Sequence, residues 1–225
     1  MRRKWRCTVC AAAMAATFAG CSGGFRSSAP ATQVYVLRAA THPQSDLAHA
    51  SASMYVGRPM AGPGLDSDHI VLVQSDHRMS YYVGSRWPAA LPAVVEALAV
   101  DALRASGTWS TVQDSASAFS SDYLLQIVIR RFEADYSTTS PTGGSPVAPE
   151  IHVVLDCTVG RRAGRQVIES FVAEGSAMAT ANRLGDVVSA FEDASNKALG
   201  EIAARTGQAV KTAQKVETPL PSMTR

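Results

Sequence analysis

Residues 81–109, YYVGSRWPAALPAVVEALAVDALRASGTW, contain the pattern that decides the fold. Between Pro88 and Ala105, apolar side chains recur every three or four residues and charged residues occupy the other side, which is typical of an amphipathic α-helix. Prolines 88 and 92 suit a first helical turn, and Gly107 suits the end of the helix. The segment therefore predicts a short strand that leads directly into a helix with the inner face Leu91, Val94, Val95, Leu98, Ala102 and Leu103.

Upstream of this segment the apolar runs are short, and turn residues separate them. The sequence SDHR at 75–78 joins two of these runs and is a hairpin signal. We therefore expect four short strands, at Val34–Leu37, Met54–Val56, Ile70–Val73 and Met79–Val83.

Downstream, the longest predicted strand covers Tyr123–Tyr136, and its first half is apolar on both faces, which favours a central position in a sheet. A Ser-, Gly- and Pro-rich loop follows at 137–149. Strands Ile151–Val159 and Gln166–Ala179 flank a basic turn, and a second amphipathic helix is predicted from Leu184 to Arg205, ended by Gly207. The fold class is therefore α+β: a mostly antiparallel or mixed sheet with two amphipathic helices packed on it, in a single domain at 33–207.

The N-terminus has the organisation of a secretory signal peptide. A basic head at residues 2–6 precedes 14 apolar or small residues, whereas a membrane-spanning helix needs about 20. The stretch ends in FAGC, which resembles the lipobox. This resemblance predicts cleavage between Gly20 and Cys21, with a diacylglycerol thioether and an N-acyl chain on Cys21. The alternatives are an ordinary signal peptide with an incidental cysteine and an uncleaved anchor.

Removal of residues 1–20 changes the charge and the cysteine count. The whole chain has 21 Lys and Arg against 19 Asp and Glu, and four basic residues leave with the signal, so the mature chain has 17 against 19. A balance this close to neutral argues against nucleic-acid binding. Cys157 is then the one thiol left, so no intramolecular disulfide can form. We interpret residues 21–32 as a flexible tether and 208–225 as a disordered tail.

The order of features resembles the ABC-type transport auxiliary lipoproteins, the group that includes paraquat-inducible protein C. The resemblance covers residues 33–206. It is carried by YVLR near the start, DSDHIVLVQ, the segment quoted above, DYLLQIVIRRFEAD and, in the last helix, VVSAFEDASNKALGEIA.

This resemblance implies a non-catalytic docking component, anchored to the periplasmic face of the outer membrane. Its partners would be an MCE-domain protein, a permease and an ATPase that move lipids or other hydrophobic molecules across the envelope. Ser22 after the acceptor cysteine agrees with outer-membrane sorting. The resemblance allows for a homo-oligomer, which the sequence neither shows nor excludes. The alternatives are a lipid carrier with its own pocket and a periplasmic enzyme.

Candidate binding residues are three arginines in the turn RRAGR, namely Arg161, Arg162 and Arg165. They can meet anionic headgroups or an acidic partner, or they can simply be a solvated hairpin end whose charges discourage strand pairing. The pair Arg86-Trp87 is interpreted as structural: Trp87 can cover the entry to the helix, and Arg86 is expected to pair with a carboxylate. A partner contact is the alternative.

No catalytic or cofactor motif is evident, so we predict no enzyme activity, no cofactor beyond the lipid on Cys21 and no metal site. The nearest approach to a metal cluster is DSDH at 66–69 with Asp76 and His77, residue types that also terminate strands and fill turns. Cys157 alternates with aliphatic residues, which favours core packing over reactivity.

Overall fold

A computed structural model of the chain describes residues 31–40, 50–137 and 147–217. The predicted signal peptide, Cys21, most of the tether and residues 138–146 and 218–225 lie outside the described residues. From Thr32 the chain forms one compact unit. Its elements are β1 (Gln33–Val34), β2 (Ala50–Val56), β3 (Met60–Ala61), β4 (His69–Val73), β5 (Met79–Arg86), α1 (Leu91–Ala105), β6 (Trp109–Gln113), β7 (Tyr123–Asp135), β8 (Glu150–Arg161), β9 (Gln166–Met178) and α2 (Leu184–Glu217).

The sheet is organised around β7, the central strand that the sequence predicts. Along one edge β7 pairs with β8 in antiparallel register, and β9 pairs with β8 in the same way. The other edge of β7 is shared by β2, β3 and β4, each running parallel to it. β6 extends the sheet from β2, while β5 and then β1 extend it from β4. The predicted α+β class is confirmed, with a mixed sheet.

One face of the long strands is covered by α2. Alternate residues of β8 from Ile151 to Val159 are buried beneath it, as a half-covered strand requires. The helix comes closest at Gly175 on β9, where a Cβ atom would lie 1.9 Å from the carbonyl oxygen of Ala194. Helix and strand are therefore in backbone contact at this point.

An aromatic cluster joins the two helices to the sheet. Trp87 lies edge-on to Phe191 of α2 with ring centroids 5.4 Å apart, and Phe132 of β7 stacks on Phe191 at 5.2 Å. All three rings are buried. Trp87, just before α1, is thus a core residue, which agrees with its interpretation as structural.

The N-terminal boundary of α1 differs from the sequence prediction. The helix begins at Leu91 rather than Pro88. The backbone N–H groups of Trp87 and Leu91 donate to the carbonyls of Asp68 and Ser67, so residues 87–90 are held against the segment before β4 instead of forming a helical turn.

The C-terminal end of α2 also differs from the sequence prediction. The prediction that the helix stops at Gly207 is wrong, and so is the prediction of disorder for residues 208–217. Ala209 and Val210 are buried, which carries the helix on to Glu217. Gly207 instead lets the helix pass close to Thr108, since a Cβ atom there would lie 3.2 Å from the Thr108 Cγ2.

The short strands are the least predictable part of the sheet. β3 and β6 are not evident in the sequence, and the predicted strand at Val34–Leu37 pairs over two residues only. The chain then leaves the sheet for α2, where the N–H of Arg38 donates to a carboxylate oxygen of Glu192 at 2.9 Å. Among the described residues, neither helix has the length and hydrophobicity that a membrane span requires.

Candidate functional site

The three predicted arginines lie together at the turn between β8 and β9, and we call Arg161, Arg162 and Arg165 the basic tip. One turn of 3-10 helix at Ala163–Arg165 forms the bend, where Gly164 and Arg165 have φ values of 75° and 53°. These left-handed conformations turn the chain sharply. The tip is thus a compact turn at the end of a long hairpin.

Neighbouring strands hold two of these arginines in place. The guanidinium of Arg162 lies 5.1 Å from the ring centroid of Tyr55 and donates to the Ser121 hydroxyl at 3.3 Å. The guanidinium of Arg161 lies 6.0 Å from the ring centroid of Tyr123. Cation–π contacts of this kind orient a guanidinium without neutralising its charge.

Two arginines of the tip, Arg162 and Arg165, keep a positive charge that no described residue neutralises. Arg162 and Arg165 are exposed, and neither pairs with a carboxylate among residues 31–40, 50–137 and 147–217. Exposed cations in a preformed arrangement suit an anionic partner, because binding then requires little reorganisation.

A hydrogen-bonded pair fixes the strand beside the tip. Asp122 accepts from the N–H and the hydroxyl of Ser53, at 2.8 and 2.7 Å, and its own N–H donates back to the Ser53 hydroxyl at 3.0 Å. These hydrogen bonds hold the pKa of Asp122 below its usual value. The carbonyl of Asp122 in turn accepts from the N–H of Arg162 at 2.9 Å. The clamp therefore connects β2, the start of β7 and the basic tip.

A groove of about 510 Å³ runs from the tip onto the sheet face away from α2. Leu124, Gly160 and Val167 lie side by side on β7, β8 and β9 and form an apolar strip along it. The arginines line one end. The groove can therefore accept an anionic group that carries an apolar neighbour.

Sequence reasoning missed an aromatic residue close to the tip. Phe119, in the loop between β6 and β7, is 79% exposed and lies two residues before Ser121. Aromatic and arginine side chains dominate the energetics of protein interfaces. No sequence pattern singles out Phe119, because SAFSS at 117–121 is typical of an ordinary polar loop.

The remaining candidate residues do not assemble into a reactive site. Arg86 pairs with Asp68 at 3.5 Å, as predicted, while Asp76 pairs with Arg78 in the turn at the other end of β4. The acidic residues proposed as metal ligands are thus separated, and no group of three metal-ligating side chains occurs among the described residues. Cys157 is buried, as its alternation with aliphatic residues predicts.

A second polar cluster lies at the far end of β7. Arg131 binds Glu133 at 2.7 Å and Asp135 at 3.0 Å, and His152 lies 3.6 Å from Glu150. Burial would raise the pKa of Asp135, but hydrogen bonds from Ser137 and the nearby positive charges lower it overall. Arg131 is thus neutralised by its own carboxylate partners, in contrast to Arg162 and Arg165.

Comparisons with known proteins agree with this architecture. The family model of the ABC-type transport auxiliary lipoprotein component matches residues 35–203. Protein XCC0632 from Xanthomonas campestris, of family DUF330, has a TM-score of 0.72 at 22% identity over 81% of this chain and 99% of its own. A PelC dodecamer from Paraburkholderia phytofirmans has a TM-score of 0.41 at 13% identity, over 73% of this chain and 94% of its own.

No curated protein matches the sequence. The family model nevertheless spans most of the chain, including β4, β5, α1, the hairpin that carries the basic tip and the first part of α2 up to residue 203. The chain therefore belongs to the ABC-type transport auxiliary lipoprotein family.

Proposed function

We propose that this protein is a non-catalytic docking component of an MCE-type ABC transport system that moves lipids or other hydrophobic molecules across the cell envelope. In this proposal the precursor is cut between Gly20 and Cys21, and Cys21 receives the acyl chains. Several chains give stable attachment where one does not. The domain is then held on the periplasmic face of the outer membrane.

The observation that carries the docking role is the positive charge of Arg162 and Arg165, which no carboxylate among the described residues neutralises. Arg162 and Arg165 are exposed at a fixed turn, beside an apolar strip and near the exposed ring of Phe119. Elsewhere on the sheet, arginines are paired with carboxylates. The tip therefore suits an acidic surface of the MCE-domain protein that also offers apolar side chains.

The docking role is tested by co-purification of the acylated chain with its MCE-domain protein. The double variant Arg162→Glu, Arg165→Glu places like charges against an acidic partner, so we expect its affinity to fall about tenfold or more. For the wild-type complex, affinity should also fall as salt concentration rises.

The matched control is the double variant Lys211→Glu, Lys215→Glu on α2, which changes the net charge equally at exposed positions. Equal affinities of the two double variants would contradict the docking role of the tip. Phospholipid retained by the purified domain in native mass spectrometry would instead favour the carrier alternative.

The anchor is tested separately. Mass spectrometry of the mature chain should find residue 21 at the N-terminus with acyl chains attached, and Cys21→Ala should release the domain into the periplasmic fraction. An unmodified residue 21 would contradict the proposed anchor. Full complementation of a deletion strain by the released form would contradict it as well.

A further inference from the structure

The sheet edge formed by β1 and β5 exposes an unusual number of apolar side chains. We call Val34, Val36, Tyr81 and Val83 the apolar edge. Val34 and Val36 are about half exposed, Tyr81 is 40% exposed and Val83 is 98% exposed. A single exposed valine needs no explanation, but several exposed apolar side chains at one sheet edge, on and beside two paired strands, can mark a contact surface.

The backbone presents Val83 through a bulge in β5. Val71 pairs with Tyr81 and His69 pairs with Arg86, so β4 advances by two residues while β5 advances by five. Gly84 within this bulge has a φ of 68°. Bulges redirect a side chain out of the regular alternation of a strand, and this one directs a valine into solvent.

The apolar edge lies where the chain leaves the domain towards Cys21. Thr32 lines the same groove as Val83, Gly84 and Arg86, with a volume of about 540 Å³. Ten residues separate Cys21 from Thr32, and the flexible tether predicted for this segment would span about 20 Å on average. The anchor would therefore keep this edge close to the bilayer.

The basic tip lies far from this edge. β7 extends about 40 Å from Tyr123, which pairs with Arg161, to Asp135, which pairs with Val73 of β4. Most of the length of the sheet thus separates the two surfaces. When the apolar edge faces the bilayer, the tip points away from it.

The chemistry of the edge matches the boundary between headgroups and acyl chains. Tyr81 contacts His69, with ring centroids 4.6 Å apart, and Arg86 is compensated by Asp68. Aromatic rings with polar atoms favour the membrane interface. Since the charges here are paired, burial of apolar surface rather than attraction to anionic lipid would drive the contact.

We propose that the apolar edge contacts the membrane surface and that Val83 inserts into it. The inference rests on the proposed acylation of Cys21 and deepens it, because it assigns the domain an orientation. It also assigns the basic tip to a protein partner in the periplasm rather than to lipid headgroups.

The test uses the acylated mature chain in vesicles of phosphatidylethanolamine and phosphatidylglycerol. An environment-sensitive fluorophore is attached to Val83→Cys or, as the matched control, to Val167→Cys. Val167 is 61% exposed and lies at the tip end. Quenching by aqueous iodide is compared with that of the same variants made soluble by Cys21→Ala.

We expect quenching at residue 83 to fall about threefold or more on vesicles, because the probe enters the interface, with no change at residue 167. A chain that floats with vesicles but stays fully quenchable at residue 83 refutes the membrane contact alone. A chain that does not float refutes the acyl anchor as well. Shielding of residue 83 in the soluble form would show contact between copies and overturn the proposal.

Discussion

The basic tip and the apolar edge expose opposite kinds of side chain: charged at the tip and apolar at the edge. At the tip, Arg162 keeps its charge and an aromatic ring holds its guanidinium in place. At the edge, Arg86 is compensated by Asp68, while the aliphatic side chain of Val83 is left in solvent. One end is thus suited to long-range, salt-sensitive attraction and the other to short-range burial.

The difference teaches how the proposed docking component could act. A rigid body with two unlike ends can orient a partner relative to a membrane, provided that the frame between them does not bend. That frame is β7, β8 and β9 with α2 packed on them. The rigidity of this frame should therefore affect the orientation of the partner more than any single residue at either end does.

The largest effect is expected where the frame is tightest. In Gly175→Ala the new methyl group would lie 1.9 Å from the Ala194 oxygen, so strand and helix must separate. We expect the free energy of unfolding to fall by at least about 3 kcal/mol, because both neighbours are backbone. Thermal unfolding should then shift down by about 6–12 °C, which calorimetry measures.

Gly200→Ala provides the control for this variant. Gly200 is an exposed residue of α2 with no atom near its would-be Cβ. Alanine there should stabilise the helix by about 1 kcal/mol. An unchanged unfolding temperature for Gly175→Ala would show that the packing of α2 on β9 is looser than described.

A smaller effect is expected from loosening the tip without touching its arginines. Asp122→Asn weakens the hydrogen bonds from Ser53 at the start of β7. We expect a loss of about 1 kcal/mol in urea unfolding. Binding to the proposed MCE-domain partner should also weaken, because the backbone beneath Arg162 is less well fixed.

Asp101→Asn on α1 is the matched control, since it makes the same chemical change at an exposed position away from the tip. Normal docking by Asp122→Asn would indicate that the arginines position themselves through their tyrosine contacts alone.

The sequence predicted the frame better than it predicted either end. Long periodic runs of apolar residues predict β7, β8, β9 and α1, because the burial pattern of each element is encoded in its own segment of sequence. The arginines of the tip were also evident from RRAGR, but the rings that hold them belong to β2 and β7, and no local pattern signals those contacts. The bulge at Val83 was missed because its cause is the register between β4 and β5.

Acid should weaken the tip end through Asp122. Its pKa is lowered in the folded chain, so ionised Asp122 contributes stability above its unfolded pKa of about 4. This contribution is lost as pH falls through the lower folded-state value. In urea unfolding, wild type and Asp122→Asn should therefore differ at pH 6, and the difference should shrink below pH 4 as the pH falls through the folded-state pKa. A constant difference would contradict a role for the carboxylate charge.

The smallest effect is expected in the middle of the frame, at Cys157. The thiol is buried and donates to the Leu155 carbonyl, and burial is the main cause that raises its pKa to about 12. Thiolate is the reactive form, so the folded mature Cys21→Ala chain should not react with a thiol reagent at pH 8 until it unfolds. The reaction rate should equal the unfolding rate measured by fluorescence.

Val83→Cys in the same background is the control, and it should react at once because its side chain is exposed. The two thiols therefore distinguish coverage of the apolar edge from unfolding of the frame. A ligand that slows the reaction at residue 83 alone covers the edge. A ligand that slows the reaction at Cys157 stabilises the whole domain. Rapid reaction at Cys157 without unfolding would mean that the frame opens locally, and a frame that opens could not hold the two ends at a fixed distance.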